Sequence, residues 1–324
     1  MVFYGGDNGQ NNKFPEGKFM RYAILSDIHS NLEALTAVLD ELATQRIDRY
    51  LCLGDLIGYG ADPEACLARL RGCDALSVCG NHEWACVGKL DVQWFNETAK
   101  RAVLWTRDRL SVADLDSLRR LPLVVTEGPC TLVHGTLSHP ERFEYLVEIA
   151  QAVDTIRQCR TTYCLIGHTH IPLVYEYDLE QHRITRVLTS PEELVEVRVS
   201  NDPTEMLLRN ISSRVRARPR KTAVAGGAPG LPGGGRGCGE RSSLPLNKIP
   251  HQGAGYFMRF RYVVNPGSVG QPRDGDAKAS CAILDTERQM LMFHRVAYDI
   301  PTAQRKIRQA GLPELFAERL AVGR

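Results

Sequence analysis

Five short apolar runs in this chain end in the same way. Residues 21–30 (RYAILSDIHS) run from an aliphatic stretch into Asp27, Ile28 and His29. Residues 49–55 (RYLCLGD) end at Asp55, and 75–83 (ALSVCGNHE) at Asn81 and His82. Residues 130–135 (CTLVHG) end at His134, and 163–170 (YCLIGHTH) at His168 and His170. Apolar runs of this length between polar turns read as buried strands. In open α/β sheets a site lies outside the carboxyl ends of the strands. Strands that all deliver polar side chains at one end must be gathered with those ends pointing one way. That requirement restricts the chain to an α/β architecture built around one place.

The surrounding pattern supplies the rest. Ser30-x-x-Glu33 reads as a capping box, and Leu32, Leu35, Leu39 and Leu42 form a helical stripe after it. Residues 49–53 are the next strand, followed by the glycine-rich loop GDLIGYG at 54–60. Asp62-Pro63 opens a second helix, with proline at the first helical position. Residues 75–79 are a third strand, and 84–121 are mostly helical. Beyond Pro122 the chain changes character. Short strands fall at 123–126, 131–133, 163–166, 173–177 and 183–188, with one helix near 147–160. This implies a second sheet packed on the first, with helices outside. A strand at 257–264, the turn NPGSVG, a hairpin over 280–284 and 290–295 and two closing helices complete the chain.

Residues 1–19 are polar and rich in Gly and Asn, and 201–255 combine a basic run with low-complexity Gly/Pro sequence. Neither buries enough apolar surface to order itself. The expected organisation is a disordered tail (1–19), a single domain (20–200 and 256–324) and a disordered insertion (201–255). A net charge of only +2 excludes a whole-chain electrostatic nucleic-acid binder. The basic cluster Arg214, Arg216, Arg218, Arg220 and Lys221 has no interleaved aromatics for base stacking and reads as a solvated linker. The ten cysteines form no CxxC pair, and Cys66, Cys73, Cys79 and Cys86 read as small core residues of a reducing compartment. No apolar run reaches the roughly 20 residues of a membrane span, and the N-terminus has no hydrophobic signal core. The expectation is a cytoplasmic protein.

Collected, the strand-end donors are Asp27, His29, Asp55, Asn81, His134, His168 and His170. All are nitrogen or oxygen donors, which excludes a cysteine-rich structural zinc site. Asp27 and His29, two apart on a strand, face one side, and the same holds for His168 and His170. Seven donors are too many for one metal with an open position and fit two metals if one carboxylate bridges. Two divalent ions roughly 3.5–4 Å apart clamp an in-line displacement on phosphorus. Against their charge of +4, Asp27 and Asp55 return −2, so the pocket attracts phosphate and stabilises its equatorial oxygens.

DIH, GDLIGYG, GNHE, VHG and GHTH, in this order, resemble the calcineurin-like metallophosphoesterase superfamily. The surrounding text, with NPGSVGQPRDGDAKAS at 265–280, resembles its small bacterial and archaeal phosphodiesterases. The resemblance covers about residues 20–190 and 257–298. It implies a four-layer α/β/β/α sandwich of two mixed sheets flanked by helices. It implies one metal held by Asp27, His29, Asp55 and His170, and a second by Asp55, Asn81, His134 and His168. A metal-bridging hydroxide would attack phosphorus in line, while His82 contacts the phosphate and protonates or polarises the leaving oxygen. Glu83 departs from the aspartate more usual there, and would orient His82. The insertion lies just before the NPGSVG loop, where it could alter access.

Around that centre, Asn81, His82, Tyr59 and Arg273 are candidate substrate contacts. Manganese, iron, nickel or zinc suit the donor set better than magnesium. His139, His182, His251 and His294 read as surface or packing residues, and Trp84, Trp94 and Trp105 as core or subunit contacts. The expected activity is that of a metal-dependent phosphodiesterase acting on a phosphate ester, with nucleotides among the candidates. A phosphomonoesterase or protein phosphatase of the same fold, a non-catalytic metal-stabilised scaffold and a nuclease stand as alternatives. The complete ligand set weighs against the scaffold, and the want of a basic groove against the nuclease.

Overall fold

A computed structural model describes residues 19–187 and 259–324 in full, and 194–198 and 241–245 as backbone. The expected tail up to residue 18, His251 and the rest of the expected insertion lie outside the described residues. The elements run β1 (Arg21–Leu25), α1 (Leu32–Ala43), β2 (Arg49–Cys52), α2 (Pro63–Gly72), β3 (Leu76–Ser77), α3 (Asn81–Cys86), α4 (Glu97–Arg107) and α5 (Val112–Arg119). Then come β4 (Val124–Glu127), β5 (Cys130–Val133), α6 (Ile149–Gln158), β6 (Tyr163–Leu165), β7 (Leu173–Asp178), β8 (Arg183–Val187), β9 (Leu194–Arg198) and β10 (Arg241–Pro245). The chain closes with β11 (Phe260–Asn265), β12 (Ala279–Asp285), β13 (Met290–Val296), α7 (Ile300–Gln309) and α8 (Glu314–Val322).

The strands make two mixed sheets, in the orders β10-β13-β12-β1-β2-β3 and β4-β5-β6-β11-β7-β8-β9. β1, β2 and β3 are parallel to one another, as are β5, β6 and β11. Strand alternation sorts the core into layers. Tyr22 and Ile24 of β1 enter the layer between the sheets with Leu132, Leu165 and Val264. Ala23 and Leu25 turn the other way, onto Leu35 and Val38 of α1 and Cys66 and Leu67 of α2. Val263 and Tyr175 of the second sheet face Val153 and Ile156 of α6. The result is the four-layer α/β/β/α sandwich that the resemblance implied.

α7 and α8 form a C-terminal pair against α4 and Tyr59. Lys306 of α7 bridges Glu33, in the first turn of α1, at 2.5 Å and Asp62, at the start of α2, at 3.0 Å. The Asp62 carboxylate therefore serves that bridge and makes no capping bond to its own helix.

Three local expectations change. β10, paired antiparallel with β13, falls within the segment read as a disordered insertion; Arg241–Pro245 carries none of the glycines that surround it. Trp94 is 83% exposed, so of the two readings given it, core or subunit contact, the core one is excluded. The cap of α1 is Asn31, not Ser30. Ser30 has φ +55°, left-handed backbone that an N-cap does not adopt. The chain regains a capping conformation at Asn31, whose Oδ1 accepts from Ala34 N at 3.1 Å. Its Nδ2 donates to Gly270 O at 2.8 Å, so the same side chain ties α1 to the loop after β11.

Asn31→Ala should therefore cost about 1–2 kcal/mol in a denaturant melt, from the lost cap and the unpaired Gly270 carbonyl. Ser30→Ala should stay within about 0.5 kcal/mol. Equal costs would restore Ser30 as the cap.

Candidate metal centre

The parallel strands of both sheets end at one place, and the donors sit in the loops just past them. Strand geometry is not what turns them inward. Asp27 and His29 follow the end of β1 with φ +52° and +48°, and His168 and His170 follow β6 with φ +69° and +60°. Left-handed backbone at alternate residues folds each loop back on itself, so the alternation expected of a strand does not apply. Asp55 and Tyr59 share this conformation at φ +51° and +58°. Of twelve described non-glycine residues with positive φ, seven (these six and Ser30) are in these loops. Such backbone costs of order 1 kcal/mol per residue and persists only where the surroundings enforce it.

The enforcement is a lattice of backbone bonds. Asp27, His29 and Ser30 N–H groups donate to Gly54, Asp55 and Leu56 carbonyls at 3.0–3.1 Å. Val269 and Gly270 N–H groups donate to Ser26 and Asp27 carbonyls at 2.9 and 3.0 Å. Ser268 Oγ donates to the Asp27 carbonyl at 2.7 Å. Asn265 Nδ2 holds Gly167 O at 2.7 Å, just before His168. The NPGSVG loop is thus a brace for the centre.

Two clusters result. Asp27, His29, Asp55 and His170 bring their ligand atoms within 4.8 Å of one another, as do Asp55, His134 and His168. Asp55 belongs to both, and all six residues are buried. The seventh expected donor, Asn81, is the first residue of α3, and its Oδ1 is buried without a hydrogen-bond partner. His82, next in α3, bonds through its backbone N–H to Asp55 Oδ1 at 3.1 Å.

The ring tautomers are set from behind. His29 Nδ1 lies 3.2 Å from the Ile57 carbonyl, His134 Nδ1 2.7 Å from Leu53 O, and His170 Nδ1 2.6 Å from Gln271 O. A carbonyl accepts only, so each Nδ1 carries a proton and each Nε2 is left facing the carboxylates, a lone pair wherever the ring is neutral. His29 Nε2 and His170 Nε2 then face each other at 3.1 Å, with Asp27 Oδ1 3.2 Å from His170 Nε2 and Asp55 Oδ2 3.6 Å from His29 Nε2. In the other cluster His134 Nε2 is 3.0 Å from His168 Nδ1 and 3.2 Å from Asp55 Oδ2. Lone pairs and carboxylate oxygens converging in a dry site repel unless a cation sits among them. The buried donors, together with the orphaned Asn81 oxygen, fit divalent metal.

Charge follows the same logic. Burial works to raise Asp27 and Asp55, but His170 holds the first, and His134 the second, below the usual carboxylate range. Burial lowers His134, but Asp55 overrides it and raises the ring to about 9. Burial takes His82 down to about 4 and His168 to about 3.

Glu83 was expected to orient His82, and it does something else. Its Oε2 accepts from Gly80 N at 2.8 Å and Asp55 N at 2.9 Å, and its Oε1 from Leu56 N at 2.9 Å and Ile57 N at 3.2 Å. It clamps the Asp55 loop onto α3. Burial and then Asp55 push it up to about 7, against the N–H groups. Gly80 lets this happen, since a Cβ there would strike the Asp55 side chain. Gly58, at φ +95°, lies under the His82 ring and leaves no room for a Cβ.

Aromatic side chains surround the donors. Tyr59 packs on His29 at 4.4 Å, meets His82 edge-on at 4.5 Å and rests on Phe316 of α8. Phe95 meets His82 at 5.3 Å, and Tyr145 stacks on His168 at 3.8 Å. Arg273 donates to Gln271 Oε1 at 3.2 Å and also interacts with the Tyr59 hydroxyl, while its Nε is buried without a partner. Of the other histidines, His139 is exposed, His182 is half-buried, and His294 is buried beside Glu41. Tyr145, Phe95 and the Glu83 clamp were missed in the sequence. They fall in no strand-end pattern, and only their adjacency to motif residues in space reveals them.

A family model described as the calcineurin-like phosphoesterase superfamily domain matches residues 20–209. An uncharacterized protein of Methanocaldococcus jannaschii is 32% identical over 307 residues, 93% of this chain and 98% of its own length. The crystal structure of a metallophosphoesterase from Sphaerobacter thermophilus is 32% identical and aligns at a TM-score of 0.65, covering 95% of this chain and 100% of that one. A hypothetical protein from Pyrococcus horikoshii aligns at 0.61 with 17% identity over 94% and 98% of the two chains, a likeness of fold alone.

The clamp gives a direct test. Glu83→Gln puts an amide N–H₂ against backbone N–H donors and, at a pH above 7 where Glu83 is charged, should lower unfolding free energy by about 2–4 kcal/mol, as for a buried charged acceptor that is lost. Denaturant melts of the two proteins measure it. A loss below about 0.5 kcal/mol would show that the loop holds its shape without the clamp.

Proposed function

The chain belongs to the calcineurin-like phosphoesterase superfamily, and we propose that it is a phosphodiesterase with a dinuclear metal centre. The observation that carries this is the pair of buried histidine–carboxylate clusters sharing Asp55. One ion is assigned to Asp27, His29, Asp55 and His170, and the other to Asp55, Asn81, His134 and His168. Two divalent cations held there would supply Lewis acidity and activate water for attack on phosphorus. Imidazole and carboxylate donors favour manganese, iron, nickel or zinc over magnesium.

The chain's own residues do the rest. Burial keeps His82 a neutral imidazole, so it polarises a phosphoryl or leaving oxygen by hydrogen bonding. Arg273, whose guanidinium Tyr59 holds in place, takes a non-bridging phosphoryl oxygen. A cationic Arg273 beside a cationic centre suits a phosphate oxyanion, and a nucleotide diester is the substrate we favour.

Chelator-stripped protein, with single metals added back, should cleave bis(p-nitrophenyl) phosphate faster than p-nitrophenyl phosphate. Preference for the monoester would replace the diesterase reading with a phosphatase one. Asp55→Asn should abolish turnover and bound metal together. His82→Ala should keep both ions and slow turnover by about 10²–10⁴-fold. Equal metal loss in the two variants would overturn the separate roles.

A further inference from the structure

The described residues expose nine large apolar side chains, and three of them, Trp94, Tyr145 and Ile171, touch the centre or directly neighbour a residue that does. Trp94 is 83% exposed and precedes Phe95, which packs on His82. Ile171 follows His170 in the chain. Tyr145 is the most closely placed: its ring lies 3.8 Å from the His168 ring at 19° between planes, yet 47% of the residue is exposed. One face is covered by a buried imidazole, and nearly half of the residue stays exposed.

His168 cannot drift beneath it. Its backbone N–H donates to both Asp27 carboxylate oxygens at 3.1 and 3.2 Å, and its ring nitrogen meets His134 at 3.0 Å. Tyr145 is therefore a ring presented flat on a fixed support, at the mouth of a site with an unpartnered guanidinium nitrogen. A tyrosine needed only to shield His168 would gain more by burying its outer face. Its hydroxyl also lies near enough to Tyr59 to act on that phenol, which places it on the same mouth as Arg273.

We propose that Tyr145 is a stacking platform, and that the ester taken by this site carries a planar aromatic ring system, in biological form a nucleobase. The proposal rests on the phosphoester reading of the centre. The phosphate would engage the centre and Arg273, and the base would lie on the face of Tyr145 away from His168, bordered by apolar rim residues. Stacking of a base on an aromatic side chain tolerates any base, so this platform selects for the presence of a base and not its identity.

Calorimetric titration of the manganese-loaded full chain with inorganic phosphate, ribose 5-phosphate and adenosine 5′-monophosphate tests it. The expected order places the adenosine ester roughly tenfold tighter than ribose 5-phosphate, the scale of one stacked base. Tyr145→Leu should bring that ratio close to one, and Tyr145→Trp should preserve it. Equal affinities for the two esters in the wild-type chain overturn the platform, whatever the variants do. A Tyr145→Leu protein that binds all three ligands more weakly by the same factor shows that the ring merely positions His168, and also overturns it. Failure of inorganic phosphate itself to bind removes the phosphoester reading beneath the proposal, and the proposal with it.

Discussion

The structure is arranged around two imidazole lone pairs that face each other. His29 and His170 bring Nε2 atoms to 3.1 Å, and carbonyls of Ile57 and Gln271 fix the protons on the far nitrogens. Carboxylates of Asp27 and Asp55 stand beside them in a dry interior. Apart from the pull of His170 on the Asp27 carboxylate, the set is mutually repulsive. Only a positive charge makes it favourable, so the protein holds by its backbone an arrangement its own side chains would relax. This is why the loops around the centre are bound to one another by main-chain bonds and why Glu83, a buried carboxylate, spends both oxygens on backbone N–H groups.

The two sheets carry the cost of those loops. Left-handed backbone at Asp27, His29, Ser30, Asp55, Tyr59, His168 and His170 amounts to several kcal/mol if each residue costs about 1. Burial offsets it: Ile24, Leu25, Leu51 and Leu53, which lead into Asp27 and Asp55, are all fully buried, and a fully buried aliphatic side chain is worth about 1.5–3 kcal/mol. The apolar runs and the polar residues that end them are one device. Each strand is anchored on both faces so that its last turn of chain can be bent against its preference.

That division explains which features were legible. Apolar runs ending in donors are visible because strand propensity and metal chemistry act on adjacent residues. The layering of Tyr22 and Ile24 against Ala23 and Leu25 follows from alternation alone. What failed was the assumption that alternation continues past the strand, into Asp27-Ile28-His29 and His168-Thr169-His170. The same left-handed step moved the cap of α1 from Ser30 to Asn31. Glu83 was misread because its neighbour His82 is closer in sequence than the Asp55 loop it clamps. Tyr145 was invisible for the opposite reason: it stands 23 residues before His168, in a segment with no motif of its own.

Protons and metal ions compete for the same atoms here. His134 is raised to about 9 because Asp55 lies 3.2 Å from its Nε2, so at neutral pH a proton is the alternative way to balance that carboxylate. A cation entering the His134–His168 cluster must displace it. In the other cluster burial holds His29 well below its ordinary value, so its lone pair is free at neutral pH without any displacement. The two halves of the centre therefore differ in kind, although they share a carboxylate. If the proposed ions bind there, uptake at the His134–His168 half would displace a proton from His134, whereas His29 already offers its lone pair. Metal binding that releases protons weakens as pH falls. On the proposed two-ion reading, acidification would weaken the His134 half first, although the ligand atoms of the two halves are almost the same.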